Sequence, residues 1–241
     1  MCWSIQVTVL FLILHLLQAE LVRRLNPRYK PTFLVFIYFY AFMELLQLSQ
    51  WLMGSVNSCT QINKFFTIIA YLLIWLQPVM FSLFGIVQTN KFQYYLYSFF
   101  MSIFALLIAC LNMFLSYYNN YAVLISSGSN FANETCTYVG QYGHLLWKFP
   151  IYSLDIQPSY FVYITIILLC ILKYPRAIQL TLGLGWFVTL LVSIYMVKGS
   201  AELPSFWCLL SVFADIPIII FSVIDYFRMR NHAKIPSEKI E

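Results

Sequence analysis

The sequence predicts an all-α, polytopic membrane bundle of seven transmembrane helices, with the N-terminus outside and the C-terminus inside. Three observations carry this. The chain of 241 residues is 61% hydrophobic and only 10% charged, whereas a soluble domain carries roughly 25% charged residues. Seven apolar stretches approach the ~20 residues a helix needs to cross hydrocarbon. Lys and Arg also fall unevenly on the two sides that seven spans define.

The first span, 4–22, has no basic run before it and is followed by Arg23 and Arg24. It therefore reads as a retained helix and not a cleaved leader. The second, 32–53, contains the stretch "MELLQLSQWLM". The third, 65–87, is interrupted by Gln77-Pro78. The fourth is 93–117. The fifth and sixth, 157–173 and 176–197, are separated only by "KYPR", where Pro175 ends one helix and helps start the next. The seventh, 204–226, opens with Glu202 and Pro204, an acid and a proline suited to a helix start. Residues 1–226 form the membrane domain and 227–241 a basic tail on the inner side.

This arrangement places Arg23, Arg24, Arg28, Lys30, Lys91, Lys173, Arg176, Arg228, Arg230, Lys234 and Lys239 inside, and only Lys64, Lys148 and Lys198 outside. The net charge of +5 is accounted for by that asymmetry. It calls for attraction to the lipid bilayer, not for nucleic acid.

The longest loop, 118–156, lies outside. It carries an N-glycosylation acceptor, "NET", at Asn133. Cys59, ahead of span 3, and Cys136, in the loop, both face the oxidising side and could form a disulfide, with Cys2 as a competitor. In "GHLLWKFP" (143–150), His144 and Trp147 share a face if the piece is helical, which would make an amphipathic lid at the outer mouth or an aromatic anchor. Trp207 reads as an interface anchor.

The candidate ligand-binding residues lie near mid-depth. Tyr40, Glu44, Gln47 and Trp51 share one face of span 2 at 100° per residue, with Gln50 to the side. His15, Gln77 and Asp215 fall near the same level, Asp215 on a face with Ser211 and Ser222. A charge facing lipid at this depth costs roughly 2.5–3.5 kcal/mol, so such groups turn inward. No Lys or Arg shares the depth of Glu44 and Asp215. They must be protonated, share a proton with each other or with His15, or hold a cation. Pro78 and Pro217 each free a backbone carbonyl one turn earlier.

Several chemistries are unmarked. Span 7 has no Lys for a retinal Schiff base, and neither Asp-Arg-Tyr nor Asn-Pro-x-x-Tyr occurs. There is no Gly-x-Ser-x-Gly, His-Glu-x-x-His, phosphate-cradling glycine loop or zinc-like Cys/His spacing. His15, Glu44 and Asp215 could make a three-ligand metal site only if they converge. The patterning thus points first to binding of a small molecule, lipid headgroup or cation, as in a transporter or sensor. An intramembrane lipid hydrolase or transferase comes second and an assembly protein third; cofactor and oligomeric state are left open.

Met43-Glu44 with Gln47, Cys59 with Asn63, Gln77-Pro78, Gly143-His144 with Trp147, and Ser205-Phe206-Trp207-Cys208 occur in that order over 43–217. In this set the chain resembles a family of multi-pass membrane proteins known as a domain of unknown function. That pattern has a His in span 3 where this chain has Leu73, and a Gln where it has Asp215. The resemblance implies topology and polar positions, and no activity.

Overall fold

A computed structural model describes residues 4–54, 56–89, 92–119, 135–140, 143–148, 160–197 and 203–232. Cys2, Asn133, Lys91, Lys198, Glu202 and most of 118–156 lie outside these residues. The described chain is mostly helical, in the order α1 (Ile5–Leu25), α2 (Lys30–Met53), α3 (Gln61–Thr89), α4 (Phe92–Asn119), β1 (Cys136–Val139), β2 (Leu145–Lys148), α5 (Tyr160–Ile171), α6 (Arg176–Ile178), a π-helical turn (Gln179–Gly183), α7 (Leu184–Val197), α8 (Leu203–Leu209), α9 (Ser211–Ala214) and α10 (Ile216–His232).

Local chemistry sets the ends. The Ser4 side chain accepts from the Val7 N–H and caps α1. Asn26 closes α1 in the left-handed region (φ 50°, ψ 51°), a conformation Asn tolerates, and Arg23 and Arg24 lie at the negative end of the helix dipole. The chain then turns back through Pro27, and α2 starts with Pro31 in its first turn, where a missing N–H costs nothing. The Asp225 carboxylate of α10 accepts from the Arg28 N–H at 2.8 Å, tying this turn to the C-terminal helix.

Among the described residues four helices are long and apolar enough to cross a membrane by length and composition: Ile5–Leu25, Lys30–Met53, Gln61–Val87 and Arg176–Val197. The last runs unbroken through α6, the π-helical turn and α7. Tyr95–Leu111 and Val162–Ile171 are shorter apolar helices. The predicted seventh span is broken, with turns at Leu210 and Asp215, and its last part continues past 226 to His232.

The outer faces are apolar as well as the core, and a few ionisable and amide side chains are buried. Leu10, Ile13, Leu17, Val35, Phe42, Phe100, Leu107, Leu184 and Leu191 are exposed, while His15, Glu44, Gln47 and Asp215 are fully buried. Phe33, Phe36, Ile37, Met43, Phe81, Ile167 and Trp186 fill the core between them. α1 packs most extensively on α2 and α3 on α4. At Gly85 a Cβ would sit 2.1 Å from the Tyr95 ring, so only glycine lets that ring seat between α3 and α4. At Gly185 a Cβ would lie 2.4 Å from the Ala214 carbonyl oxygen, so α7 and α9 touch backbone to backbone.

One element corrects the purely helical reading. Residues 136–139 and 145–148 form an antiparallel hairpin with Cys136 opposite Lys148 and Thr137 opposite Trp147. Gly143 (φ 76°) and the Gly140 N–H, which donates to the His144 carbonyl at 2.7 Å, make the turn. His144 and Trp147 are therefore not on a helix face. Alternation of side chains along β2 turns Leu145 and Trp147 into the protein.

Candidate functional site

The hairpin is docked by side chains. Asn63 of α3 accepts from the Thr137 N–H at 2.7 Å and donates to the Thr137 carbonyl at 2.9 Å, supplying both bonds that a neighbouring strand would make. The Thr67 and Thr137 hydroxyls are 2.6 Å apart. Gln50 of α2 donates to the Thr137 hydroxyl at 3.1 Å and accepts from the Trp147 indole N–H at 3.2 Å. Cys59 and Cys136 are disulfide-bonded with their Cα atoms 5.6 Å apart. The His144 ring meets Phe206 of α8 edge to face at 5.1 Å. Burial against these groups pushes the His144 imidazole down to about 4.

The predicted mid-depth residues separate into distinct groups. His15 and Asp215, both fully buried, approach with Nδ1 and Oδ2 2.8 Å apart. The Ser211 Oγ lies 3.4 Å from the other ring nitrogen, Nε2. One turn along α1 from His15, the Gln18 side chain donates to the Val212 carbonyl at 3.1 Å, pinning α1 to α9. Separately, the Gln77 Oε1 accepts from the Tyr40 hydroxyl at 3.4 Å and, in a shorter bond, from the Tyr163 hydroxyl.

Glu44 belongs to neither group. Both its carboxyl oxygens are buried and lack a hydrogen-bond partner among the described residues. Among those residues no group of three His, Cys, Asp or Glu could hold a metal ion, so His15, Glu44 and Asp215 do not converge as metal ligands. Gln47 is buried one turn from Glu44 on α2.

The two polar groups meet at a narrow, partly open cavity of about 50 Å³. Tyr40, Gln77 and Tyr163 line one part of it and Ser211 another; Ile74, Trp186, Leu190 and Trp207 supply apolar wall. Trp207, the residue expected to anchor at the interface, lines this cavity: its indole donates to the Thr189 hydroxyl at 3.1 Å, and its ring lies 4.5 Å from that of Trp186. Pro78 cannot donate to the Ile74 carbonyl one turn back, which loosens α3 beside this wall.

Sequence reasoning missed Tyr163, Trp186 and Thr189, which look like ordinary apolar-helix residues until the bundle closes on them. It placed Ser211 on the Asp215 face without a role. The one available signal was spacing, since residues four apart stack on one side of a helix.

Comparison with known proteins adds relationship and no activity. The chain is 32% identical to "Uncharacterized protein R287" of Acanthamoeba polyphaga mimivirus over 241 aligned residues, covering 92% of this chain and 95% of that one. No solved structure matches. Residues 8–232 match the profile described as "Family of unknown function (DUF5765)", and the chain belongs to that family.

Proposed function

We propose that this is a multi-pass membrane protein that binds an amphipathic small molecule, an apolar chain with a polar end, within its helical bundle, as a transporter or sensor would. The carrying observation is the cavity: an apolar wall of Ile74, Trp186, Leu190 and Trp207 with the hydroxyls and amide of Tyr40, Tyr163 and Gln77 at one side. Ligand sites are mostly apolar clefts with a few polar groups that fix orientation. A lipid-like molecule fits this better than a bare cation, because the wall presents no carboxylate.

The apolar outer faces support placement in a bilayer. Large apolar side chains cover the outer faces of α1, α2, α4 and α7, and ionisable groups are inside. In water such patches would aggregate; in hydrocarbon they are solvated. On this reading α4, α5 and the broken α8–α10 segment join the four long helices as spans, giving seven, with the hairpin outside and the basic end of α10 inside. Glu44 and Gln47 do not line the cavity.

Native mass spectrometry of the detergent-purified full chain tests the binding. The unmodified protein should retain a lipid-sized adduct, and Leu190→Trp, which fills the cavity, should lose it. Adducts equal in mass and abundance on both proteins would refute the assignment.

A further inference from the structure

We infer that Ser211, His15 and Asp215 form a nucleophile relay that cleaves a carboxylic ester whose acyl chain lies in the cavity; this rests on the binding reading above. The geometry is that of a nucleophile, its base and the group that orients the base. His15 Nδ1 and Asp215 Oδ2 are 2.8 Å apart, and His15 Nε2 and the Ser211 Oγ are 3.4 Å apart. The relay uses the tautomer in which Nδ1–H donates to an ionised Asp215, leaving the Nε2 lone pair facing the Ser211 hydroxyl. A nucleophile–base separation of this size is usual before substrate tightens it.

Ser211 behaves unlike other hydroxyls of the bundle. Ser82, Ser102, Ser193 and Ser222 each donate to the carbonyl four residues earlier, satisfying themselves within their own helices. Ser211 turns to the histidine of another helix and also forms part of the cavity wall. It stands at the first position of α9, after the turn at Leu210, and Asp215 stands at the next turn. These two breaks present the serine to the cavity and keep the aspartate behind the imidazole. Gln18, bonded to Val212, holds the histidine's helix in register.

The chemistry balances without a metal or redox partner. Ser211 Oγ bonds to the ester carbonyl carbon as its proton passes to His15 Nε2 and the carbonyl electron pair moves to oxygen. The carbon–oxygen bond to the leaving alcohol then breaks, and that alcohol takes the proton from Nε2. Water repeats the sequence on the acyl-serine: its proton goes to Nε2, the bond to Ser211 Oγ breaks, and the serine recovers the proton. The net reaction is ester plus water to acid plus alcohol. Tyr40, whose bond to Gln77 is long at 3.4 Å, supplies a hydroxyl on the cavity wall that can turn toward the developing oxyanion.

The test uses the purified full chain and a fluorophosphonate carrying a ten-carbon alkyl chain, with peptide mapping by mass spectrometry. Ser211 should be phosphonylated, and Ser211→Ala and His15→Asn should not be labelled. Asp215 acts through His15 and is a positioning residue. Asp215→Asn should therefore slow the covalent step by at least about 100-fold while leaving reversible affinity for the probe unchanged. A brominated, unreactive alkyl alcohol that quenches Trp186 and Trp207 reports cavity binding separately. Quenching without labelling of Ser211 in the unmodified protein overturns the relay and leaves the binding reading standing; loss of both overturns both. Because labelling of the unmodified protein decides the matter, variants that fail to fold do not rescue the proposal.

Discussion

Asp215 and His15, 200 residues apart in the chain, meet side by side at 2.8 Å in the centre of the bundle, with neither exposed to solvent. This contact closes the first helix onto the last part of the chain. It also leaves the second carboxylate, Glu44, on its own.

The pair should be interdependent. Removing one partner of a buried pair strands the other, at a cost of about 3–5 kcal/mol. Asp215→Ala and His15→Ala should each lower stability by about this much, and the double variant by less than the sum. Denaturation of the four proteins in one detergent measures the coupling. Strict additivity would mean that the two side chains do not interact.

Glu44 makes the opposite prediction. A buried carboxyl without a partner is destabilising, and Met fills similar volume without a polar atom. Glu44→Met should raise the melting temperature, by an amount equivalent to about 1–3 kcal/mol. A fall in stability would show that Glu44 has a partner in the working protein.

The hairpin should be held by both its disulfide and Asn63. Asn63→Ala leaves both backbone groups of Thr137 unmet and should cost about 1–3 kcal/mol, seen first as faster hydrogen exchange over 136–148. Reduction of Cys59–Cys136 should act on the same segment before the helices. Recovery of both thiols free from freshly isolated protein would contradict this part of the account.

Docking of the same hairpin should depend on pH through His144. Its imidazole titrates at about 4 in the fold, against an ordinary value of 6.5, because burial disfavours the cation. The unfolded chain therefore binds more protons between these values, and docking loses stability as pH falls from about 6.5 to about 4, with a maximal slope of roughly 1.4 kcal/mol per pH unit. Exchange protection of 136–148 followed across that window should show the slope, and His144→Phe should flatten it. An equal slope in both proteins would assign the effect elsewhere.

Topology has its own test. Tags at Asn133 and at the C-terminal end should be accessible from opposite faces of sealed vesicles, as seven crossings require. Accessibility from one face would give an even number of crossings, most simply by merging the short segment around Tyr160–Ile171 with its neighbour.

Helix positions were legible because burial leaves periodic, local traces. Pro175 marked the turn between α5 and α6, and Arg23 and Arg24 marked the end of α1. Depth matching placed His15 and Asp215 at one level, and they meet. It also suggested that Glu44 would join them, which failed as a metal site because depth says nothing about which way two helices face. The hairpin was not legible: "LLWK" has no turn signature stronger than Gly143 and reads equally as helix, and its strands exist only because Asn63, Gln50 and Thr67 are 70 or more residues away to receive them. The cavity was invisible for the same reason. Its walls come from α2, α3, α5, α7, α8 and α9, and only packing brings them together.

On the proposed function an apolar chain lies inside the bundle, between α3, α5 and α7, and not only around it. Photolabelling with an alkyl diazirine fatty alcohol, mapped by mass spectrometry on the full chain in lipid, tests this directly. Labels are expected on Ile74, Trp186, Leu190 and Trp207, competed away by excess unlabelled alcohol. Labels confined to outward residues such as Leu10, Leu17 and Phe100, and insensitive to competition, would contradict it.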